Sequence, residues 1–476
     1  MLILATSTFL NAQVQIEWLK SYGDYTVQSG YQTFKLNDMS IILIGITQGI
    51  ENDYEEVLIV KIFTNGDIIF TRRIGKSRSI ATPAICPTSD NGFVVSYSAD
   101  NFDGNNYDIF ILKFDSNVNL VWEKCYSSTE NETVKSIKQT KEGFIMLGEY
   151  QILSQQGMDT ELLLLKVDAN GDSLWMRNIS QIGSGKSIAV TPDNTYAFLG
   201  SFGDKVIKTN ENGNELWNKE FKSNIKGNYI ESTNDGGYII TGVTNSKLML
   251  LKLNPDGNVD WIRQFGENVT STGFCVKQVS DGGFIVTGQT TNNNGDTAIY
   301  IIKTNDSGTL DWSYMQNTEM PESAGLGEMT KLPIHVDDKN FIEEIFPGQY
   351  IMTGTIIDGF DWGVGLMKLT DLISINETNS NKFASNFNLL QNYPNPFNSW
   401  TNINIEVLQG SNIILKIFDL TGNIVKTLAD EYKTAGYYNF NWNSKNNMGQ
   451  SVSDGIYFYK LKTKDFTQTK KMLLLK

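Results

Sequence analysis

The phrase SDGGFIVTGQT, at residues 280–290, recurs along the chain in variant forms, and this repetition restricts the fold more than any other feature. Each copy joins a short turn to an apolar run, which predicts a β-strand entered through a tight turn. A phrase that recurs in this way is typical of repeat architectures such as propellers. The copies are NDMSIILIGIT (37–47), SDNGFVVSYS (89–98), KEGFIMLGE (141–149), PDNTYAFLGS (192–201), NDGGYIITGV (234–243), SDGGFIVTGQ (280–289) and PGQYIMTGT (347–355).

A second phrase, an aliphatic run that ends in lysine, follows each copy of the first. The lysines are Lys61, Lys113, Lys166, Lys208, Lys252, Lys303 and Lys368. Behind most of them come a turn and an aromatic residue, namely Phe70, Trp122, Trp175, Trp217, Trp261 and Trp312. Successive lysines are 42 to 65 residues apart. That period suits four short strands per repeat, which is the size of a propeller blade.

The two ends of the repeat region are each incomplete. No tryptophan follows Lys368, whereas VQIEWLKSYG, at residues 14–23, has Trp18 with no lysine phrase before it. We expect these two halves to form one blade, whose outer strand comes from the start of the chain. Closing the ring in this way removes open sheet edges. The sequence therefore predicts an all-β fold with a seven-bladed β-propeller over residues 14–369.

The turns before the tryptophans carry a recognisable pattern. The phrases LNPDGNVDW (253–261) and VDANGDSLW (167–175) resemble the tryptophan-docking repeat of quinoprotein-type propellers. In that family the tryptophan packs between adjacent blades. The resemblance concerns how blades stack and does not imply a cofactor.

A second domain follows a polar linker at residues 370–386. Apolar residues alternate with polar ones in YYNFNW (437–442) and IYFYKLK (456–462), which predicts half-buried strands. With a hairpin and a last strand, this pattern predicts a small Ig-like antiparallel β-sandwich over residues 387–476.

This tail closely resembles the C-terminal sorting domain of the type IX secretion pathway. The similarity lies in LKIFDLTGNIVKTL (415–428), SDGIYFYKLKT (453–463), the terminal KKMLLLK and the YPNPFN motif, formed by Tyr393, Pro394, Asn395, Pro396, Phe397 and Asn398. It implies a Gram-negative bacterium, the type IX machinery as a partner, and a secreted or cell-surface location. The first 13 residues, MLILATSTFLNAQ, fit a signal peptide whose basic start is clipped.

Composition excludes several classes of function. A net charge of −14 opposes nucleic-acid binding, and no apolar run is long enough for a transmembrane helix. The single histidine, His335, excludes multi-histidine metal sites. It lies in the longest interval between repeats, residues 313–346, where we expect a surface loop. The three cysteines are widely spaced and are interpreted as isolated thiols: Cys86, Cys125 and Cys275.

Two short motifs resemble ligand-binding loops without meeting their requirements. In IGSGKSI (182–188), Ser180 occupies the position where a Walker A loop needs its first glycine, and a strand rather than a helix follows. DGNNYD (103–108) and DANGD (168–172) lack the length and closing glutamate of an EF-hand. Turn chemistry explains them better. We expect no cofactor, and the sequence leaves open only a weak Ca²⁺ site.

Acidic and aromatic residues recur in the loops before the third strand of each repeat. These loops share a propeller face with the connections between blades, around the channel mouth. Such a surface suits a polar ligand such as a sugar, held by hydrogen bonds and ring stacking. Solvated turns capped by aspartate are the competing interpretation. The candidate ligand-binding residues are Asp103, Tyr107, Asp108, Asp159, Asp296, Phe360, Asp361 and Trp362.

Three functions remain open. The first is a secreted or surface-attached binding or scaffold module without catalysis, whose extracellular ligand is a glycan or a protein. The second is an extracellular carbohydrate-active enzyme with paired carboxylates on the propeller face, although no catalytic residue is assigned. The third is a quinoprotein dehydrogenase. We rank it last, because those enzymes commonly carry a vicinal Cys–Cys pair and these cysteines are isolated.

Overall fold

All the regular secondary structure in the described part of the chain is β-strand. The computed structural model describes residues 14–23, 28–48, 54–100, 106–128, 130–154, 157–179, 183–200, 202–266, 270–291, 297–317, 334–335, 341–358, 361–371, 387–389, 392, 395, 397–407, 410–434, 436–464 and 466–475. They belong to two compact units, Met1–Ser374 and Ile375–Lys476, each with its own hydrophobic core. Among these residues, no helix has the length and apolar character needed to span a membrane.

Six sheets of the first unit each consist of four consecutive antiparallel strands, counted over the residues described. Sheet 1 contains β2 (Gln28–Lys35), β3 (Ile41–Gln48), β4 (Glu55–Ile62) and β5 (Ile68–Ser77); sheet 2 contains β6 (Ile80–Pro87), β7 (Phe93–Asp100), β8 (Tyr107–Phe114) and β9 (Leu120–Tyr126); sheet 3 contains β10 (Asn131–Gln139), β11 (Gly143–Ser154), β12 (Gly157–Asp168) and β13 (Ser173–Ile179).

The next three sheets repeat this order of strands. Sheet 4 contains β14 (Gly185–Val190), β15 (Tyr196–Gly200), β16 (Lys205–Thr209) and β17 (Glu215–Glu220); sheet 5 contains β18 (Ile225–Ser232), β19 (Tyr238–Thr244), β20 (Lys247–Leu253) and β21 (Val259–Phe265); sheet 6 contains β22 (Thr270–Gln278), β23 (Phe284–Thr291), β24 (Thr297–Thr304) and β25 (Leu310–Asn317). In every sheet the strands lie side by side in chain order.

A further sheet, sheet 7, joins the two ends of the unit. It contains β1 (Val14–Tyr22), β26 (Ile334–His335), β27 (Ile342–Phe346), β28 (Gln349–Asp358) and β29 (Asp361–Asp371). The N-terminal strand β1 pairs antiparallel with β29, with Val14 opposite Asp371. Part of the interval predicted as a loop, around His335, is therefore a short strand that pairs with β28.

The first strands of successive sheets contact one another in a closed cycle. From β2 the contacts pass to β6, β10, β14, β18, β22 and β27, and β27 contacts β2. Four-stranded sheets arranged radially around a common channel are the architecture of a β-propeller. The first unit is therefore a β-propeller.

The repeated phrase forms a turn whose aspartate makes two contacts. In sheet 6, Asp281 accepts a hydrogen bond from the backbone N–H of Gly283 at 2.8 Å, and its other oxygen lies 2.7 Å from Lys303 Nζ. Lys303, on the third strand, is only 1% exposed, and a buried ammonium needs such a partner. The same ion pair recurs in three other sheets as Lys61–Asp38, Lys113–Asp90 and Lys252–Asp235. The phrase thus fastens the first turn of a sheet to its third strand.

The aromatic residue on the fourth strand packs against the following sheet. Trp312 of sheet 6 is 2% exposed, and its ring centroid lies 6.0 Å from that of Tyr350 in sheet 7. Equivalent contacts between successive sheets are Trp122–Phe144, Trp217–Tyr238 and Trp261–Phe284. The tryptophans therefore pack between adjacent sheets, as the docking-type repeat implies.

A glycine in the turn between the third and fourth strands makes room for this packing. Gly308 has φ +75°, and a Cβ there would lie 2.7 Å from the Trp261 ring. Gly282 has φ +87°, but its Cβ would meet no atom closer than 4.0 Å. We expect Gly308→Ala to lower the free energy of unfolding by about 3 kcal/mol and Gly282→Ala by about 1 kcal/mol. Equal losses in urea denaturation would show that backbone strain alone accounts for both.

The second unit contains two antiparallel sheets. Sheet 8 contains β30 (Phe387–Leu389), β31 (Thr401–Val407) and β34 (Gly436–Trp442), and sheet 9 contains β32 (Ser411–Phe418), β33 (Ile424–Lys433), β35 (Gly455–Lys462) and β36 (Thr467–Leu474). Both contribute to one core, in which Leu389 and Ile405 of sheet 8 and Tyr459 of sheet 9 are fully buried. The alternating pattern of the sequence accounts for these inward residues.

Candidate functional site at the channel mouth

The first strand of sheets 1 to 6 carries a β-bulge at the same level. In sheet 5, for example, the register shifts between Gly227 and Tyr229, so that Asn228 has no opposing residue on the second strand. A bulge turns its extra side chain away from the regular ladder. We call these extra residues the bulge ring, and they are Tyr31, Thr82, Pro83, Lys135, Lys186, Asn228 and Phe274.

The bulge ring lines a cavity of about 340 Å³ at the mouth of the channel. The other described lining residues are Gln32, Ser136, Ser184, Tyr229, Cys275 and Phe341. Each sheet from 1 to 6 contributes, so the cavity belongs to the ring as a whole. A concave pocket with aromatic walls and a few converging polar groups is typical of a ligand site.

Lysine and amide groups form the polar side of this cavity. Lys135 Nζ contacts the Glu149 carboxylate and lies 3.4 Å from Ser184 Oγ. Lys186 Nζ donates a hydrogen bond to Asn228 Oδ1 at 2.9 Å. The charged groups among the described lining residues are both lysines, although the chain has a net charge of −14.

Two aromatic rings form the floor of the cavity, and two lysine ammonium groups lie against these rings. The rings of Tyr229 and Phe341 meet edge to face, with centroids 5.8 Å apart. Lys277 Nζ lies 4.8 Å from the Phe341 centroid, and Lys138 Nζ lies 5.9 Å from the Tyr229 centroid. Tyr229 and Phe341 also line a second channel cavity, of about 310 Å³, on the far side. The floor thus separates the channel-mouth cavity from the remainder of the channel.

Beneath the floor, Glu231 lies between two lysines. Its Oε2 is 2.8 Å from Lys277 Nζ and 3.0 Å from Lys138 Nζ, and it accepts a hydrogen bond from the Tyr229 hydroxyl at 3.1 Å. Burial acts to raise the pKa of Glu231, but the two lysines outweigh it and lower that pKa to about 2. Burial also raises the pKa of Glu343, which lines the same inner cavity. This network joins the first strands of sheets 3, 5 and 6.

The sequence-based candidates do not include the bulge ring. A usable signal was the glycine that precedes the bulge in SGYQ, SGKS, KGNY and TGFC. A Cβ at Gly273 would lie 1.9 Å from Thr241 Oγ1 of the preceding sheet, so the sheets approach too closely there for a side chain. The residue after this glycine, which is the bulge residue itself, differs from sheet to sheet. The segment rejected as a phosphate loop contributes Ser184 and Lys186 to the cavity.

The candidate ligand residues from the loops lie elsewhere. Outside the described residues are Asp103, Asp296 and Phe360. In the described part, Tyr107 and Asp108 begin β8, Asp361 and Trp362 begin β29, and Asp159 is exposed in β12. The described lining of the channel-mouth cavity does not include any of them. A ligand site at these positions stays a prediction.

Asp108 lies near a third cavity, an open one of about 580 Å³ between sheets 2 and 3. The described lining is Cys125, Tyr126, Ser127, Ser128, Glu132, Tyr150, Met176 and Asn178. Burial raises the pKa of Glu132, a hydrogen bond from the Ser128 hydroxyl partly offsets this, and the charge of Asp108 raises it further. Both carboxylates are at least nine-tenths buried. We call this space the intersheet cavity.

The calcium-like loop that the structure describes uses its first aspartate within the turn. Asp168 Oδ1 accepts hydrogen bonds from the backbone N–H groups of Asn170 and Asp172, each at 2.8 Å. Among the residues described, no three His, Cys, Asp or Glu side chains gather into a metal-binding group. A weak Ca²⁺ site stays a prediction.

In the second unit, the described part of the YPNPFN motif is joined to the last strand. Asn395 Oδ1 accepts a hydrogen bond from Leu473 N at 2.9 Å. Phe397 N donates to Leu473 O at 3.0 Å, and Leu475 N donates to Phe397 O at 2.8 Å. Asn398 is exposed, and Tyr393, Pro394 and Pro396 lie outside the described residues. The motif thus holds the C-terminal strand in place.

Several solved structures resemble the chain, all at low identity. They include a protein of unknown function from Bacteroides caccae (10% identity, 61% of this chain and 94% of that chain, TM-score 0.39) and YCF48 bound to D1 peptide (10%, 74% and 96%, 0.43). A third is a catalytically inactive virginiamycin B lyase from Staphylococcus aureus with quinupristin (12%, 75% and 99%, 0.45). No curated protein matches the chain.

The second unit does match a known family. Residues 391–475 match the secretion system C-terminal sorting domain. They include the whole YPNPFN motif (393–398) and the strands β31 to β36. A domain of this family directs its protein to the cell surface or the extracellular space. The chain is therefore a β-propeller followed by a C-terminal sorting domain of the type IX secretion pathway.

Proposed function

We propose that this protein is a secreted or cell-surface binding module, a seven-bladed propeller that holds an extracellular ligand at its channel mouth. The type IX machinery exports it through the sorting domain, after an N-terminal signal peptide has taken it across the inner membrane. The seven sheets of the first unit and the cyclic contacts of their first strands support the blade count. The two sheets that share one core support an Ig-like sandwich for the tail.

The bulge ring is the observation that carries the binding proposal. Positions that hold the repeat together are alike from sheet to sheet, as the buried lysines and their aspartates show. The bulge ring occupies equivalent positions too, yet its residues are tyrosine, threonine, proline, lysine, asparagine and phenylalanine. A bulge is a common way to aim side chains at a site. A scaffold that is the same in each sheet, combined with bulge-ring residues that differ from sheet to sheet, favours a specific ligand.

The lining of the channel-mouth cavity favours an acidic glycan or a carboxylate-bearing segment of a protein. Lys135 and Lys186 supply charge-assisted hydrogen bonds, and Asn228 supplies neutral ones. Tyr31 and Phe274 offer ring faces, on which a sugar or an apolar side chain can stack. An anionic ligand would gain charge-assisted hydrogen bonds from these lysines, and a neutral ligand would gain only the weaker neutral ones. The ligand is therefore expected to be anionic.

A binding screen with the full chain tests this proposal. We expect oligosaccharides that contain uronic acids, or acidic peptides, to raise the melting temperature, and their neutral counterparts to have little effect. Lys186→Ala and Phe274→Ala should each weaken binding about tenfold. Lys219→Ala, on the outermost strand of sheet 4, is the matched control and should bind normally. Binding that is equal in all three variants would place the ligand elsewhere.

An extracellular carbohydrate-active enzyme is the alternative function. One observation favours it: Asp108 and Glu132 are close enough for the charge of one to raise the pKa of the other. Glycosidases use two carboxylates, one of them with a raised pKa. If this function is correct, the full chain should release reducing sugar from a glycan panel and Glu132→Gln should abolish the release. Binding without turnover would leave the binding module as the function.

A further inference from the structure

The second channel cavity, on the far side of the Tyr229–Phe341 floor, has a volume of about 310 Å³. We call it the inner cavity. Positive and negative side chains line it in equal numbers, namely Lys138, Lys277, Glu231 and Glu343. The side chains of both lysines and of Glu231 are 17 to 20% exposed, so water reaches them. When all four groups are ionised, the described lining of this cavity carries no excess charge.

Glu343 has acceptor oxygens that the protein leaves unused. Within the described part of the chain, its carboxylate has no hydrogen-bond donor and no ion-pair partner, and its oxygens are accessible to water. Burial nevertheless raises the pKa of Glu343, and it outweighs Lys277 and Lys138, which lower that pKa. A half-buried carboxylate without a donor costs free energy. A ligand hydroxyl that donates to Glu343 would recover part of this cost.

The two lysines have donors that the protein leaves unused. An ammonium group has three N–H bonds. Among the described residues, Lys277 Nζ donates to a single oxygen, Glu231 Oε2, at 2.8 Å. Lys138 Nζ donates to both oxygens of the same carboxylate, at 3.0 and 3.2 Å. Each ammonium group therefore retains at least one N–H for a further acceptor, and the two groups lie close together because both contact Glu231 Oε2.

We propose that the inner cavity binds one small neutral polyhydroxyl molecule of monosaccharide size, whose hydroxyls donate to Glu343 and accept from Lys138 and Lys277. A hydroxyl group both donates and accepts, so a single kind of ligand group satisfies both sets of unused groups. At about 30 Å³ for each water molecule, the cavity has room for about ten waters, which is enough for such a ligand. A charged ligand would add an unbalanced charge to a half-buried site.

This inference goes beyond the proposed function and does not depend on it. The proposed anionic ligand binds the channel-mouth cavity, where the charged groups of the described lining are lysines. The polyhydroxyl molecule binds the other cavity, beyond the floor, and is neutral. Failure of the anionic ligand screen would therefore leave this proposal unchanged, and failure of the present one would leave that screen unchanged.

Saturation-transfer difference NMR with the full chain tests the inner cavity. The probes are methyl glucoside and myo-inositol, and the charged comparators are acetate, methylammonium and glycine. We expect at least one of the two probes to show saturable transfer with a Kd of about 1 mM, which suits a small ligand held by a few hydrogen bonds. The charged comparators should bind at least about tenfold more weakly.

Variants of Glu343 connect the signal to the inner cavity. Glu343→Leu removes the acceptor and should weaken binding of the probe at least about tenfold. Glu343→Gln keeps one uncharged carbonyl acceptor and should weaken binding about threefold. Glu344→Gln is the matched control and should bind normally, because that neighbouring carboxylate accepts from Ser280 N at 2.6 Å and is not part of the described lining. Lys186→Ala and Phe274→Ala, at the channel mouth, should also bind the probe normally.

Four results would overturn the proposal. Absence of transfer to both probes would show that the inner cavity holds water only. Binding of a charged comparator as tight as that of the probes would show a site for charged ligands. Undiminished binding in Glu343→Leu would place the probe outside the inner cavity. Loss of binding in Phe274→Ala would place it at the channel mouth.

Discussion

Replacing Glu231 by alanine should lower the free energy of unfolding of the propeller by about 3–5 kcal/mol. Glu231 is the shared counter-charge of Lys138 and Lys277, at 3.0 and 2.8 Å. All three side chains are at most one-fifth exposed, so water cannot replace the missing carboxylate fully. The loss should appear in urea denaturation of the full chain, as a lower midpoint for the propeller transition.

An exposed ion pair is the matched control. Lys20 and Asp67 lie 3.0 Å apart, with side chains 36% and 64% exposed. Asp67→Ala should change the free energy of unfolding by less than about 1 kcal/mol, because solvent screens such pairs. A similar loss in both variants would show that the Glu231 network has no special role in stability.

The contribution of Glu231 should also depend on pH. The pKa of Glu231 is lowered in the folded protein from an ordinary value of 4.5 to about 2. A depressed pKa means that the stabilisation is fully present above pH 4.5 and is lost as the pH falls through about 2. The difference in unfolding free energy between the wild type and Glu231→Gln should therefore shrink from pH 5 to pH 2. A constant difference would contradict the assignment.

Trp312→Ala is the second substitution for which we expect a large loss. Trp312 is 2% exposed and packs against Tyr350 of the next sheet. Truncating a fully buried tryptophan removes apolar contact and leaves a cavity, and such changes cost about 3–5 kcal/mol. We expect a loss of this size in the free energy of unfolding, measured by urea denaturation followed by circular dichroism.

A residue on the same strand is the control for this substitution. Leu310, two positions before Trp312, is 44% exposed. Leu310→Ala should cost less than about 1 kcal/mol, because nearly half of this residue already faces water. If Trp312→Ala were equally mild, the docking of fourth-strand aromatics would not hold adjacent sheets together.

The sequence predicts those parts of the fold that repeat. Asp281 and Lys303 belong to phrases that recur, and each pairs with a residue of its own sheet about twenty positions away. An aromatic residue equivalent to Trp312 recurs in the same way, on the fourth strand of each sheet. Such residues can be recognised in the sequence because they recur. Every sheet needs the same turn, the same buried charge and the same packed aromatic ring. The β-strand pattern follows from the apolar runs between these markers.

Contacts specific to one pair of sheets cannot be found in this way. Asp204 pairs with Lys226 at 2.9 Å, and Glu55 accepts a hydrogen bond from Ile80 N at 2.6 Å. Asp204 precedes the third strand of its sheet and Glu55 begins the third strand of its own, close to the loops predicted to hold a ligand. Each of them contacts the first strand of the next sheet. Their partners depend on how closely neighbouring sheets approach each other, and one amino-acid sequence does not specify that distance.

The residues of the bulge ring could not be predicted from the sequence for a related reason. A β-bulge shifts the period of alternation by one residue, so Lys186 and Phe274 are out of phase with the rest of their strands. Their neighbours around the ring come from different repeats and have nothing in common as residue types. Only the glycine before the bulge recurs, in four of the six sheets, and it reflects how closely neighbouring sheets approach rather than what the mouth binds.

The pairing of β1 with β29 has a consequence for the order in which the protein acquires its structure during synthesis. Glu17 and Thr370, which form a hydrogen bond across this pairing, are 353 residues apart. Contacts between distant residues form late, because the intervening chain must first be ordered or its ends brought together. β1 thus leaves the ribosome long before β29, the strand with which it pairs. Until they pair, an edge of β29 stays open to other strands, so chaperones that cover exposed edges should matter most in that interval.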